Sequence, residues 1–462
     1  MYQNPLNQRF GGGAASTHLD PFVLVMLLIT VFLTFVLPRR YVIVPLLLCA
    51  ILAPDGQQYY LGGAHLYVGR LLIFFGWIRI FLKRKSEDGL LPGGWTAVDK
   101  IYIAWAVFRA VATYLEFLEP GAAFNQVAFL TDSLGGYFLC RHFIRDKEDI
   151  VRVLKTFVAM VVLLAVTMSN EHFNAVNVFG YIGGILTPFV RDGAIRSQGP
   201  FTGPIPAGTF GATLLCLFFW LKQTGKATGW AVAGVFGALV MVYMSASSTP
   251  LMTVPAGILA IALFPLRKNM RALRWGMVVI LTIVHLSMKA PVWMLINHID
   301  LVGGNSSYHR AMLIDGFITH FNEWWLIGIQ STAGWGWDMW DQANQFVQEG
   351  ESGGILTFVC FILILSRCFA RLGNARRIVE GDREQEWGFW LLGAAMFSQI
   401  VSFFGISFSD QSIYGWYPLL AIIVAATAPV LEPSEEVELE HDSEEDSVIL
   451  DSPVPDPIAS QT

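Results

Sequence analysis

The chain has 462 residues, 54% of them hydrophobic and only 14% charged, with a mean hydropathy of +0.52. A soluble globular protein is about 25% charged, so the composition excludes an ordinary water-soluble fold. The formal charge of −6 sits at one end: eleven acids and no Lys or Arg lie from Glu432 onward, leaving 25 acids against 30 bases in the rest.

Residues 1–20 read as a polar N-terminal arm, since no basic stretch runs into a cleavage site. Residues 21–430 are a series of apolar runs broken by short charged clusters. Only helices and closed barrels satisfy the backbone in lipid, and the weak alternation of barrel strands is missing. The predicted class is therefore all-α, a polytopic helical membrane protein with about 12–13 transmembrane helices. The candidate spans are Pro21–Leu37, Tyr41–Ala53, Leu66–Leu82, Ile101–Leu118, Ala122–Cys140, Val151–Met168, Ala207–Leu221, Gly229–Met244, Leu251–Pro265, Trp275–Met288, Ile355–Ala370, Trp387–Phe404 and Ile413–Val430. Residues 431–462 are acidic and poor in aromatics, the composition of a disordered tail. The five cysteines lie in or beside apolar runs without metal-site spacing, so neither a disulfide framework nor a zinc site is expected.

Basic residues set the orientation. Arg39 and Arg40, Lys83 to Lys85, Arg141 to Lys147, Lys222 and Lys226, Arg267 to Arg274 and Arg371 to Arg377 mark alternate loops. They share one face if thirteen spans are counted, and that face is cytoplasmic. Two long loops then lie outside, 169–206 and 289–354. Long loops inside compact proteins are usually functional or disordered.

Three arginines break the bias. Arg191 and Arg196 lie in the first outer loop, and Arg310 lies alone among seven acids between Pro291 and Gly353. The guanidinium is a planar, permanently charged fork suited to phosphate or carboxylate. A pairing with Asp192 is the plainer reading of Arg191; Arg196 and Arg310 suit an anionic ligand. In "SQGPFTGPIPAG", Gly199 and Gly203 are positioned to present backbone N–H groups to an anion. The segment "SSYHRAMLIDGFITHFNEWW" reads as an amphipathic helix carrying Ile314, Phe317, Ile318, Phe321 and Trp325 on one face. His309 and His320 share another face and are candidate bases, as are Glu349 and Glu351. Trp335 and Trp337, interleaved with Gly and Asp, offer flat rings to sugars or anchors to a bilayer. Within the membrane, Arg109 and Asp132 fall at similar depth and are expected to pair.

These outer residues resemble the O-antigen ligase and O-antigen polymerase superfamily of bacterial envelope glycosyltransferases. The resemblance covers the C-terminal two-thirds. It rests on Arg196, Gly199, Phe201 and Pro204 before a span, on Arg310 in "SSYHRAMLIDGF", on the loose match "WWLIGIQSTAGWG", and on Asn344 and Gly354 in "QANQFVQEGESGGILTF". Ala343 stands where the ligases carry a histidine before the Asn, which turns the expectation from ligation toward polymerisation.

The resemblance implies a C-type glycosyltransferase-like architecture in a bacterial inner membrane, with a large helical periplasmic loop and the active site facing the periplasm. It implies transfer of a glycan from an undecaprenyl-pyrophosphate-linked oligosaccharide donor to a glycan acceptor. No metal, nucleotide cofactor or nucleic acid takes part. Arg196, Arg310, His309, His320 and Glu349 would be catalytic. Arg191, Gly199, Trp335, Trp337 and Asn344 would bind substrate. The alternatives are a transporter of the same lipid-linked glycans, or a silent scaffold that recruits envelope-glycan assembly proteins through the acidic tail.

Overall fold

The computed structural model describes residues 16–83, 89–223, 227–298, 306–340, 343–408 and 411–432. The first fifteen residues and the acidic tail after Glu432 lie outside them, as do Arg84, Lys85 and Lys226 among the residues singled out above.

A helix fills every one of the thirteen predicted segments. They run α1 (Pro21–Val36), α2 (Arg39–Leu52), α3 (Val68–Lys83), α4 (Ala97–Phe117), α5 (Pro120–Phe143), α6 (Lys147–Asn174), α7 (Pro204–Gln223), α8 (Thr228–Met244), α9 (Ser248–Ala262) and α10 (Met270–Ser287). In the second long loop, α11 (Ser306–Thr319) and the single turn α12 (Phe321–Trp324) precede α13 (Gln345–Ile378), α14 (Arg383–Ser402) and α15 (Ile413–Leu431). Five helical stretches are long and apolar enough to cross a bilayer: α6, α7, α13, α15 and the run Phe264–Ser287 that contains α10. Helices α1, α8 and α9 are shorter but apolar. The only strands among the described residues form two antiparallel hairpins, β1 (Gln58–Leu61) with β2 (Ala64–Tyr67) and β3 (Phe189–Arg191) with β4 (Ala194–Arg196). The protein is thus an all-α membrane protein, and no sheet closes.

The core lies between α6, α7, α13, α14 and α15. Phe157, Phe218, Leu391, Leu420 and Ile423 are all completely buried there. Helix α10 is the exception. None of its residues is buried, and Trp275, Ile280 and Leu286 all face outward. An apolar helix with no covered face belongs in lipid.

Several cations counted in the loops are structural. Arg141 is wholly buried against Asp99, at 3.1 Å, and donates to the carbonyls of Pro92 and Gly94. Asp99 also closes a capping box with Thr96 at the start of α4. Arg79 on α3 donates to the carbonyls of Thr34 and Leu37, and Lys83 to that of Phe35. These are the last carbonyls of α1, which have no partner within that helix. The end of the N-terminal arm is held too: His18 forms a β-bridge with Gln58, and Asp20 caps α1.

The expected Arg109–Asp132 pair does not form. Asp132 is taken by Arg70 at the start of α3, through a two-pronged contact of 2.9 and 2.5 Å. Arg109 lies 3.6 Å from Glu349 of α13 instead. Similar spacing along neighbouring helices does not say which side chain faces which.

Helix α13 breaks at Gly354, whose φ of 67° and ψ of −165° are open essentially to glycine alone. The break exposes ladder groups, and the loop after α12 supplies their partners. Ile355 N–H donates to the Trp325 carbonyl and Ile329 N–H to the Glu351 carbonyl, each at 2.8 Å. The second long loop is therefore stitched to the kink by backbone hydrogen bonds.

Candidate functional site

Two of the three unexplained arginines reach the same helix end. Helix α9 opens on Ser247 as N-cap, followed by Ser248 and Thr249. Arg196, from β4, donates to Ser247 Oγ at 2.7 Å. Arg310, from α11, donates to Ser248 Oγ at 3.1 Å and Thr249 Oγ1 at 2.8 Å. Two guanidiniums from loops more than a hundred residues apart thus touch three consecutive hydroxyl residues. A helix N-terminus carries unsatisfied N–H groups and a positive dipole end, so it favours an anion. Here both arginines add to that field.

Their settings differ. Arg310 is 5% exposed and lies on the inward face of α11 with Ser307, Ala311 and Leu313. Gly405 backs it so closely that an added Cβ would lie 3.1 Å from Arg310 Nε and 2.4 Å from Thr249 Oγ1. Arg196 is half-buried, and its Nε is buried without a hydrogen-bond partner among the described residues. Desolvation, and then the nearby Arg191 charge, pull the Arg196 guanidinium below its ordinary value. Both causes penalise a bare cation and would be relieved by an anion. Arg191 itself is exposed, 3.7 Å from Asp192, as its plainer reading expected. Arg310 does not turn to Asp315, which accepts from Trp293 at 3.0 Å.

The Gly–Pro segment after Arg196 serves a different purpose from the one its composition suggested. Gly199 N–H points at Glu171 Oε2, 2.9 Å away, and Gln198 N–H reaches the same carboxylate at 3.1 Å. Asn177 Nδ2 donates to the Gly199 carbonyl at 2.7 Å, and Gln411 Nε2 to that of Pro200 at 2.9 Å. Gly199 therefore presents no N–H to a ligand. Glu171 is completely buried and needs donors, and the segment supplies them. The result is a rigid base for Arg196. Ser197 continues it, donating from N to the Met244 carbonyl and from Oγ to that of Met168.

Glu349 is withdrawn as a candidate base. It is 0% exposed, accepts from Trp105 Nε1 at 2.7 Å and Gln345 Nε2 at 2.5 Å, and faces Arg109. An acceptor hydroxyl cannot reach it. Asn344 is also a framework residue: it caps α13, its Oδ1 accepting from Phe346 and Val347 N–H, while its Nδ2 is buried without a partner among the described residues.

The histidines keep one basic nitrogen each. His309 Nε2 lies 2.9 Å from the Asp338 carbonyl, which can only accept. That nitrogen carries a proton, so in the neutral ring Nδ1 holds the lone pair. By the same reasoning His320 donates from Nδ1 to the Gly316 carbonyl at 3.0 Å and keeps Nε2 basic. His320 stacks on Trp335, centroids 5.4 Å apart at 12°, and Trp335 Nε1 donates to Glu323. Trp335 is thus a packing platform, whereas Trp337 is 88% exposed.

The amphipathic stretch also divides differently. Helix α11 stops at Thr319, and Ile318, Phe321 and Trp325 are exposed while the Arg310 face is buried. Sequence reasoning passed over Glu171 and the Ser247–Thr249 run. The run had a visible signal: "SASSTP" places small hydroxyl residues where a helix begins, two residues ahead of a proline. Comparisons with protein-family models, curated proteins and solved structures give no match.

Proposed function

We propose that the protein is a membrane-embedded glycosyltransferase that lengthens a glycan carried on a polyprenyl pyrophosphate, working at the outer face of a bacterial inner membrane. The supporting observation is the convergence of Arg196 and Arg310 on the N-terminus of α9. The charge rule applied to the basic loops supports an outer position for this convergence. Neutral hydroxyls that now accept from the two guanidiniums would give way to the more strongly bonding oxygens of a diphosphate.

The chemistry follows from the bond. An acceptor hydroxyl attacks the anomeric carbon of the donor, forming a C–O bond as the C–O bond to pyrophosphate breaks. The electron pair leaves on the lipid pyrophosphate, where Arg196 and Arg310 meet the growing negative charge. The hydroxyl proton passes to His309 Nδ1, next in sequence to Arg310. Trp337 offers an exposed ring to the sugar chain.

The assay is release of lipid pyrophosphate from a synthetic lipid-linked oligosaccharide by the purified full-length chain. Arg196→Ala and Arg310→Ala should each lower turnover by about 10²–10³-fold, and lysine should not rescue either, since it lacks the fork. His309→Ala should cost about 10²–10⁴-fold, and His320→Ala little. Normal turnover by both arginine variants, or translocation of the donor across vesicles without bond formation, would reject the reading.

A further inference from the structure

A cavity of about 710 Å³ opens at the opposite end of the molecule, between α2, the N-terminal half of α6 and the start of α8. Its rim and floor differ in chemistry. Lys147, Arg152 and Lys155 rise along one face of α6, with Glu148 the single acid in the lining. The rest of the lining is mostly apolar, with Val44 and Leu48 of α2 and Val151 and Ala159 of α6 beside the buried Thr156. Trp230 of α8 closes the third side, with the Lys155 ammonium 6.0 Å from its ring centre.

The cations are not equally committed. Arg152 already bonds Asp149 at 2.5 Å and the Arg40 carbonyl at 2.9 Å, and lies over the Tyr41 ring. Among the described residues neither Lys147 nor Lys155 has a hydrogen-bond or ion-pair partner. Insertion bias explains why cations lie at this end. It does not explain their gathering on one wall of a concavity whose remaining lining is mostly apolar and whose third side is tryptophan.

We propose that this cavity binds an anionic phospholipid from the leaflet at the basic-loop end. Its phosphate lies between Lys147 and Lys155, and the upper part of an acyl chain lies along Val44, Leu48 and Ala159. Three cations against one acid give the rim a net positive charge that matches the headgroup. Basic pockets between helices on the cytoplasmic side are suited to such headgroups. Trp230 lies where an aromatic ring settles at the level of the headgroups.

The test is native mass spectrometry of the full-length chain in detergent, titrated with phosphatidylglycerol or phosphatidylcholine. Phosphatidylglycerol should bind at least about tenfold tighter. Lys147→Ala with Lys155→Ala should weaken it by about 25-fold, fivefold per cation, and leave phosphatidylcholine unchanged. Arg271→Ala with Arg274→Ala, which removes equal charge outside the cavity, should have no effect. Equal affinity of the unaltered protein for the two lipids would overturn the proposal whether or not the variants fold. So would an equal loss in the control pair, or displacement of the lipid by soluble glycerol phosphate, which would make the site one for a free anion.

Discussion

Arg109 and Glu349 are the most demanding test of how charge is held inside this bundle. Arg109 is 17% exposed and Glu349 fully sealed, with a closest approach of 3.6 Å. At an effective dielectric constant of about 20 their attraction is about 4–5 kcal/mol, offset by the cost of drying both groups. Removing one partner forfeits the attraction and keeps the cost. Arg109→Leu should therefore destabilise the protein by about 3–5 kcal/mol. Glu349→Gln in the same chain should recover most of this, because the amide oxygen can still accept from Trp105 or Gln345. The assay is unfolding by titration with dodecyl sulfate in mixed micelles, followed by tryptophan fluorescence. Asp132→Asn provides the contrast: its partner is Arg70, so it should leave the effect of Arg109→Leu unchanged. Tolerance of Arg109→Leu, or its rescue by a change at Asp132 instead of Glu349, would refute the reasoning.

Gly354→Ala would set a Cβ 2.6 Å from the Leu326 carbonyl oxygen at a φ of 67°; a loss of about 1–3 kcal/mol and faster amide exchange at Ile329 and Ile355 are expected. Glu171→Leu strands the N–H groups of Gln198 and Gly199, each costing about 1–3 kcal/mol; exchange at those two amides should rise, and glycan transfer should fall through Arg196. Lys268 holds Glu380 at 2.6 Å, and its hydrogen bond, then its charge, keep that carboxyl below its ordinary value of 4.5. The stabilisation is thus complete above about pH 4.5 and fades as pH drops through the lower folded value. Lys268→Ala should remove this pH dependence, and 1 M salt should mask it, since the pair is exposed.

The helices were legible because each needed only a run of apolar residues, and lipid tolerates little else. Their contacts were harder to read. The pairing of Arg109 with Asp132 was expected from counting residues along each helix, but partner choice depends on rotation about each helix axis. The same gap hid Arg141, counted as a loop cation yet buried at the end of α5. Arg196 and Arg310 could be singled out because they defied a charge rule. Gly199 looked like ligand-binding backbone, but a buried acid 28 residues earlier claims its N–H. Hydrogen-bond demand of that kind leaves no periodic trace in a sequence.

The stitching of the second long loop to the break in α13 also constrains how the chain is made. A ribosome delivers the loop before the helix that receives it, so Trp325 and Ile329 emerge while their docking partners are still unsynthesised. Arg310 meets the opposite order, since α9 is already threaded when it appears. The loop must therefore wait, half-anchored, until Gly354 has passed through the translocon, and a stop codon just before that glycine would leave an inserted but unclosed molecule.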